Sequence, residues 1–181
     1  RTFRFFPHRV EGEGMFLAVA RRAGEAERVR ESRNRRSVLA AVDARTTKEL
    51  SRWVASPETM RFMAAGDTLY GCYAGRYDDI ALLSSRMAVI YSGVAMGQIF
   101  KGALRPDGAL ALFADVSREA VPCRDLPTQE ALRFLRKQDM DAAAFEQGVN
   151  MVTCGGLPLG FVKCIGARVN NMYPNSLRIL K

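Results

Sequence analysis

Histidine is almost absent from this chain: His8 is the single one among 181 residues, which leaves no multi-histidine metal centre to consider. Cysteine is sparse and scattered. Cys72, Cys123, Cys154 and Cys164 form no C-x-x-C pair, a spacing that argues against structural zinc and against a disulfide framework. The expectation is reduced, mostly buried thiols in a cytoplasmic protein. No apolar run reaches the roughly 18 residues that cross a bilayer, so no membrane partner is expected. A signal peptide is also missing. Arg1-Thr-Phe-Arg-Phe-Phe-Pro7 reads as mid-domain sequence, and the lack of an initiator Met agrees with a fragment or trimmed chain. Nor is there a nucleotide loop: Gly12-Glu13-Gly14 lacks a third glycine, and Glu11 and Glu13 would repel phosphate. A structural turn is the reading there.

What the chain does have is positive charge. The net charge is +8 and the pI near 9.7, a surplus that favours polyanions, with RNA or DNA as the leading class. A solvated basic surface without a specific partner is the bland alternative. Hydrophobic content of 48% suffices for a packed core in one domain or two small ones. Residues 21–37 hold seven arginines and three glutamates with almost nothing apolar. This is a solvated linker, or a basic arm ordered only on RNA.

Periodicity and turn residues predict many short elements. Residues 2–6 and 15–20 read as strands joined across 7–14, and since two strands alone are marginal in water they are expected to belong to a larger sheet. Thr46 or Thr47 is predicted to cap a short helix with Leu50, Trp53 and Val54 on one face, stopped by Pro57. Trp53 reads as core. Strands are predicted near 59–64 and 68–73 around Gly66-Asp67, and over Arg86–Ser92, after which Gly93 and Gly97 are expected to break regularity. Pro106 to Phe113 is a short helix candidate, and Thr128 to Arg136 a better one. Val149–Thr153 and Leu157–Ile165 read as strands paired around Gly155-Gly156, and Leu177–Leu180 as a closing strand. Short strands with glycine turns and one or two helices suggest an α+β chain ending in a small barrel-like domain.

The tail, Gly156-Leu-Pro-Leu-Gly160-Phe-Val-Lys163-Cys-Ile-Gly166-Ala-Arg168-Val-Asn170-Asn171-Met-Tyr173-Pro174-Asn-Ser-Leu-Arg178, runs an apolar strand into a polar loop. Cations meet phosphates, amides read base edges or the ribose 2′-OH, and a ring stacks on a base. Lys163, Arg168 and Arg178 are the phosphate candidates, Asn170 and Asn171 the hydrogen-bonding ones, and Tyr173 the stacking one. Pro174 would fix the loop, while Gly160 and Gly166 would let backbone come close. Lys101 and Arg105 extend the basic surface. The structural alternative is that the paired asparagines cap a turn and Tyr173 belongs to the core.

Two stretches resemble one family. Arg4-Phe-Phe-Pro7-His8-Arg-Val-Glu-Gly12-Glu13-Gly14-Met-Phe16 is similar to the R-x-x-P-H-x-x-x-G-E-G-F-F ending of the Sun-type (nucleolar protein/Sun) RNA cytosine-C5 methyltransferases, with Met15 in place of the usual Phe. The tail resembles the C-terminal, PUA-like RNA-binding domain of the bacterial 16S rRNA members. The resemblance implies a preceding Rossmann-like domain that binds S-adenosylmethionine, with residues 1–22 as its last strands. It implies a pair of catalytic cysteines upstream of Pro7-His8, one attacking C6 of cytosine and one helping release. Pro122-Cys123 and Thr153-Cys154 echo the family's Pro-Cys and Thr-Cys dipeptides, but lie on the wrong side of that motif. Val121-Pro-Cys-Arg-Asp125 also lacks the family's preceding acidic residue and following glycine. His8 would approach the methyl donor or target base by resemblance only; a plain turn residue is the alternative.

The resulting expectation divides the chain into methyltransferase strands at 1–22, a basic linker at 23–45, a small α/β intermediate domain at 46–91 and a PUA-like domain at 92–181. It would dock 16S rRNA or the small ribosomal subunit as a monomer. No cofactor is expected on this fragment and no catalytic residue within it. A freestanding RNA-binding adaptor is the competing class, and a small enzyme using Cys154 a third.

Overall fold

The computed structural model describes residues 2–6, 14–18 and 39–180 of the chain. Pro7, His8, the Gly12-Glu13 pair and the arginine-rich stretch at 21–37 lie outside the described residues, and so do the expectations attached to them. The chain divides into two units, Arg1–Asn34 and Arg35–Lys181.

In the first unit, β1 (Thr2–Phe5) and β2 (Met15–Ala18) pair antiparallel, with Thr2 opposite Ala18 and Phe5 opposite Met15. The Arg4 guanidinium lies 5.8 Å from the Phe6 ring and 5.6 Å from that of Phe16. A cation over aromatic faces covers apolar surface while its charge stays in water.

The described residues of the second unit form helices and two sheets. One holds five antiparallel strands in the order β3 (Ala40–Ala41), β4 (Met60–Ala65), β5 (Thr68–Tyr73), β6 (Val94–Phe100) and β7 (Ala103–Pro106). The other has the order β11 (Arg168–Asn171), β10 (Leu157–Ile165), β9 (Gly148–Cys154) and β8 (Cys123–Asp125), with β8 parallel to β9 and the rest antiparallel. Position 91/92, the expected domain boundary, therefore falls inside the first sheet, because β6 and β7 continue it beyond β5.

Among the described residues four short helices join and flank the sheets: α1 (Ala44–Ser51), α2 (Tyr77–Ser84), α3 (Gly108–Ala111) and α4 (Thr128–Leu135). Asp43 caps α1 by accepting from Thr46 N at 2.6 Å. Thr46 and Thr47 thus sit within the first turn rather than at the cap, since a carboxylate is the stronger acceptor at the positive helix end. Two of the expected strands are absent from the structure. Residues 86–92 form no strand, and Ile90 and Tyr91 are each 81% exposed; α2 just before them has no distinct periodicity in the sequence. Leu177–Leu180 is no strand either: Leu177 ends a 3-10 turn that begins at Asn175, and Ile179 N donates to Leu135 O beyond it. Gly97 interrupts the regular pairing of β6, as expected, while the strand continues through it to Phe100. Its φ of 129° sits beside a register shift in β5–β6, and a Cβ there would lie 2.1 Å from Arg105 O. Glycine is what lets β7 approach so closely.

The core reaches across both sheets. Leu50, Trp53, Met96, Leu104 and Leu110 pack in one cluster with Met151 and Phe161 of β9 and β10. Trp53 meets Phe161 edge-on at 5.8 Å and 82°, so it is a core residue, as its sequence context predicts. A second cluster gathers Leu126, Ala131, Phe134, Val152, Val162 and Cys164 on the opposite face of the second sheet.

Candidate nucleic-acid interface

Strand alternation places Phe161, Lys163 and Ile165 on one face of β10. Phe161 is buried in the shared core, whereas Lys163 and Ile165 are exposed. The face changes from core to surface within two residues. Lys163 stands opposite Asn170 and Ile165 opposite Arg168 across β10–β11, and directly opposed side chains are near neighbours on one face, with Cβ atoms roughly 5 Å apart. Lys163, Arg168 and Asn170 thus form one exposed polar patch. The segment expected to be a loop is an edge strand, and its regular register sets the spacing of these groups.

Beside Asn170 opens a groove of about 520 Å³, whose walls include Gln98, Arg105, Asp107, Lys137, Asn170 and Pro174. Arg105 pairs with Gln98 across β6–β7, so the five-stranded sheet supplies one wall and β11 the other. Asp107 is the acid there; its Oδ1 accepts from Ala109 N at 2.8 Å as the cap of α3. Among the described residues two ion pairs form, Arg52–Glu49 at 3.3 Å and Arg76–Asp79 at 4.0 Å. Neither involves Lys101, Arg105, Lys163, Arg168 or Arg178, and all five of these cations are exposed. They keep their charge available to an anion.

The remaining candidates separate. Lys101 sits at the β6–β7 hairpin tip with φ 52°, its ammonium 5.6 Å from the Phe100 ring. Arg178 is exposed past the last 3-10 turn and does not line the groove. Asn171 is held internally: its Nδ2 donates to Phe134 O at 2.7 Å and its Oδ1 accepts from Tyr173 N at 2.9 Å. The Tyr173 ring meets Phe134 edge-on at 5.4 Å and packs on the second core cluster. For both residues the structural alternative describes the geometry better than base contact does, because their polar and aromatic groups already have partners. Gly160 likewise serves the core. A Cβ there would lie 2.9 Å from the Phe134 ring, so its missing side chain makes room for an aromatic rather than a ligand. Pro174 borders the groove and packs near Gly108.

Lys137 has no counterpart among the sequence-derived candidates. It follows α4 with φ 53°, a conformation usually left to glycine at a helix end. Its Nζ donates to Asn171 O at 3.1 Å and to Tyr173 O. The ammonium ties the chain after β11 to the helix and leaves a positive charge at the groove. No periodicity marks such a residue; only the meeting of α4 with a segment over thirty positions later gives it a role. Gln98 and Phe100 carry no sequence signal for a similar reason, since Gly97 reads as a break in their strand.

The cysteines offer no paired chemistry. All four are free, and Cys123 aligns with Met151, three positions along β9 from Cys154. That separates the two dipeptides by roughly 10 Å along the sheet. Burial pushes the Cys72 thiol up, away from thiolate. Among the described residues no His, Cys, Asp or Glu group could hold a metal, and no helix is long and apolar enough to cross a membrane. A cationic groove does not suit the cationic sulfonium of S-adenosylmethionine. Asp125 serves the fold. Its Oδ1 accepts from Thr153 Oγ1 at 2.6 Å and from Gly156 N at 3.0 Å, and these bonds hold its carboxyl below the usual range.

No curated protein matches the chain. Residues 122–179, which carry β8, α4, β9, β10 and β11, match the family model of the methyltransferase RsmF PUA domain. This third of the chain is therefore similar to an RNA-binding PUA module found in a methyltransferase setting, and the match begins thirty residues later than the expected boundary at 92.

Proposed function

We propose that the chain is the RNA-binding C-terminal region of an S-adenosylmethionine-dependent rRNA (cytosine-C5) methyltransferase. It docks and orients 16S rRNA for a catalytic domain outside these residues, a domain that would hold the methyl donor and the reacting cysteines. β1 and β2 would be that domain's last strands. The observation that carries the reading is the uncompensated patch of Lys163, Arg168 and Asn170 on the strands of the PUA-like segment. Cations there meet phosphates, and Asn170 is free to engage a ribose or a base edge.

The test is salt-dependent binding to 16S rRNA fragments by fluorescence anisotropy. Each phosphate contact contributes about 0.7 to 0.9 to the log–log slope, so Lys163→Ala with Arg168→Ala should lower the slope by about 1.4 to 1.8. An unchanged slope removes both residues from the interface. Equal binding to 16S fragments and unrelated RNA favours the adaptor class over a dedicated rRNA enzyme.

A further inference from the structure

The sequence places the stacking ring at Tyr173, and the fold engages that ring with Phe134. A different aromatic stands exposed on the same basic side. Phe100, at the end of β6, is 62% exposed. Alternation puts it on the same face of β6 as Gln98, whose cross-strand partner is Arg105, and both of these line the groove. Two residues of strand bring the ring within roughly 7 Å of that wall.

Lys101 follows in the left-handed region, at φ 52°, in the two-residue turn with Gly102. Asn is the usual occupant of such a turn position, and Lys there is an uncommon choice. The conformation places the ammonium 5.6 Å from the Phe100 ring. Arg45 approaches the same turn: its Nη2 would lie 2.9 Å from a Cβ on Gly102. One cation thus stands over the exposed ring and a second lies against the turn, with an exposed amide and a guanidinium on the strand below.

We propose that the β6–β7 hairpin is a stacking platform for an unpaired nucleotide, with Phe100 against the base and Lys101 and Arg45 at its phosphates. The proposal rests on the RNA-binding reading above and adds to it. The platform lies outside the segment that matches the PUA family model, and it selects the class of RNA. A base inside a duplex has no free face to offer a ring, so the ligand is a loop, bulge or single strand. Charge complementarity decides for nucleic acid over an apolar peptide, because no carboxylate forms an ion pair with Lys101 among the described residues.

The experiment uses the full chain with a fluorescein-labelled unpaired 12-mer RNA and a perfect duplex of the same composition. Phe100→Ala should weaken unpaired-strand binding roughly 5- to 150-fold, the range that loss of one stacked base gives, with the salt slope unchanged. Phe100→Trp should retain or exceed the starting affinity, and Phe100→Leu should behave like the alanine variant. Duplex binding should be indifferent to all three. The ring is exposed, so thermal melts should match and exclude a folding defect. If Phe100→Ala binds the 12-mer normally while the Lys163/Arg168 double variant does not, the platform is overturned and the RNA-binding reading stands. If the unsubstituted chain binds neither RNA, both fail together.

Discussion

The two faces of the β10–β11 hairpin are built from adjacent residues and serve opposite ends. One face carries Val162, Cys164 and Val169 onto the core cluster around Phe134. The other carries Lys163, Arg168 and Asn170 outward. Asn170 and Asn171 show the contrast most sharply. They are the same amino acid one position apart, yet the first is exposed beside a cation and the second is bonded on both sides of its amide. Residue type alone therefore does not distinguish a ligand contact from a structural clamp. The pleat does, because successive side chains point to opposite sides of a strand.

Phe134 anchors the inner face. Removing this fully buried ring by Phe134→Ala should cost about 3–5 kcal/mol, read as a lower urea midpoint. A cost below about 1 kcal/mol would mean that the inner face is not anchored there. Asn171→Ala should cost about 1–3 kcal/mol through two lost hydrogen bonds, with the salt slope of RNA binding unchanged. A lowered slope would return Asn171 to the interface. Lys163→Ala with Arg168→Ala should leave stability within about 0.5 kcal/mol while changing binding, the reverse of the first two outcomes.

Asp125 makes the fold's stability depend on pH. Its folded-state carboxyl titrates below its unfolded value because Thr153 and Gly156 donate to it. The stabilisation is therefore fully present above the ordinary carboxylate range and lost as pH falls through the folded value. Asp125→Asn should flatten the acid limb of stability against pH in urea titrations, while binding at neutral pH stays as before. An unaltered acid limb would show that this bond contributes nothing to folding.

Legibility follows how local the signal is. The hairpin around Gly155-Gly156 is readable because β-rich runs flank a two-glycine turn. The short helix at 128–135 is readable from Pro127 and the apolar positions behind it. Residues 86–92 read as a strand from composition, yet a strand exists only where a neighbouring edge accepts it. β11 reads as a loop because Arg, Asn and Asn are weak strand formers; pairing with β10 overrides that preference. The candidate cations are recognisable as exposed charge, whereas their grouping is not. Arg105 and Asn170 share one groove although sixty-five positions separate them.

Composition and local pattern were enough to establish a basic α+β chain with a terminal hairpin of glycine-bounded strands, and which side chains carry free charge. These properties depend on each residue's own chemistry and its nearest neighbours along the chain. The folded molecule alone decided that Tyr173 and Asn171 face inward, that Lys137 clamps two distant carbonyls, and that Phe100 stands exposed beside the groove. Those outcomes depend on which face of a strand meets another element, and that is set by contacts between segments far apart in the chain.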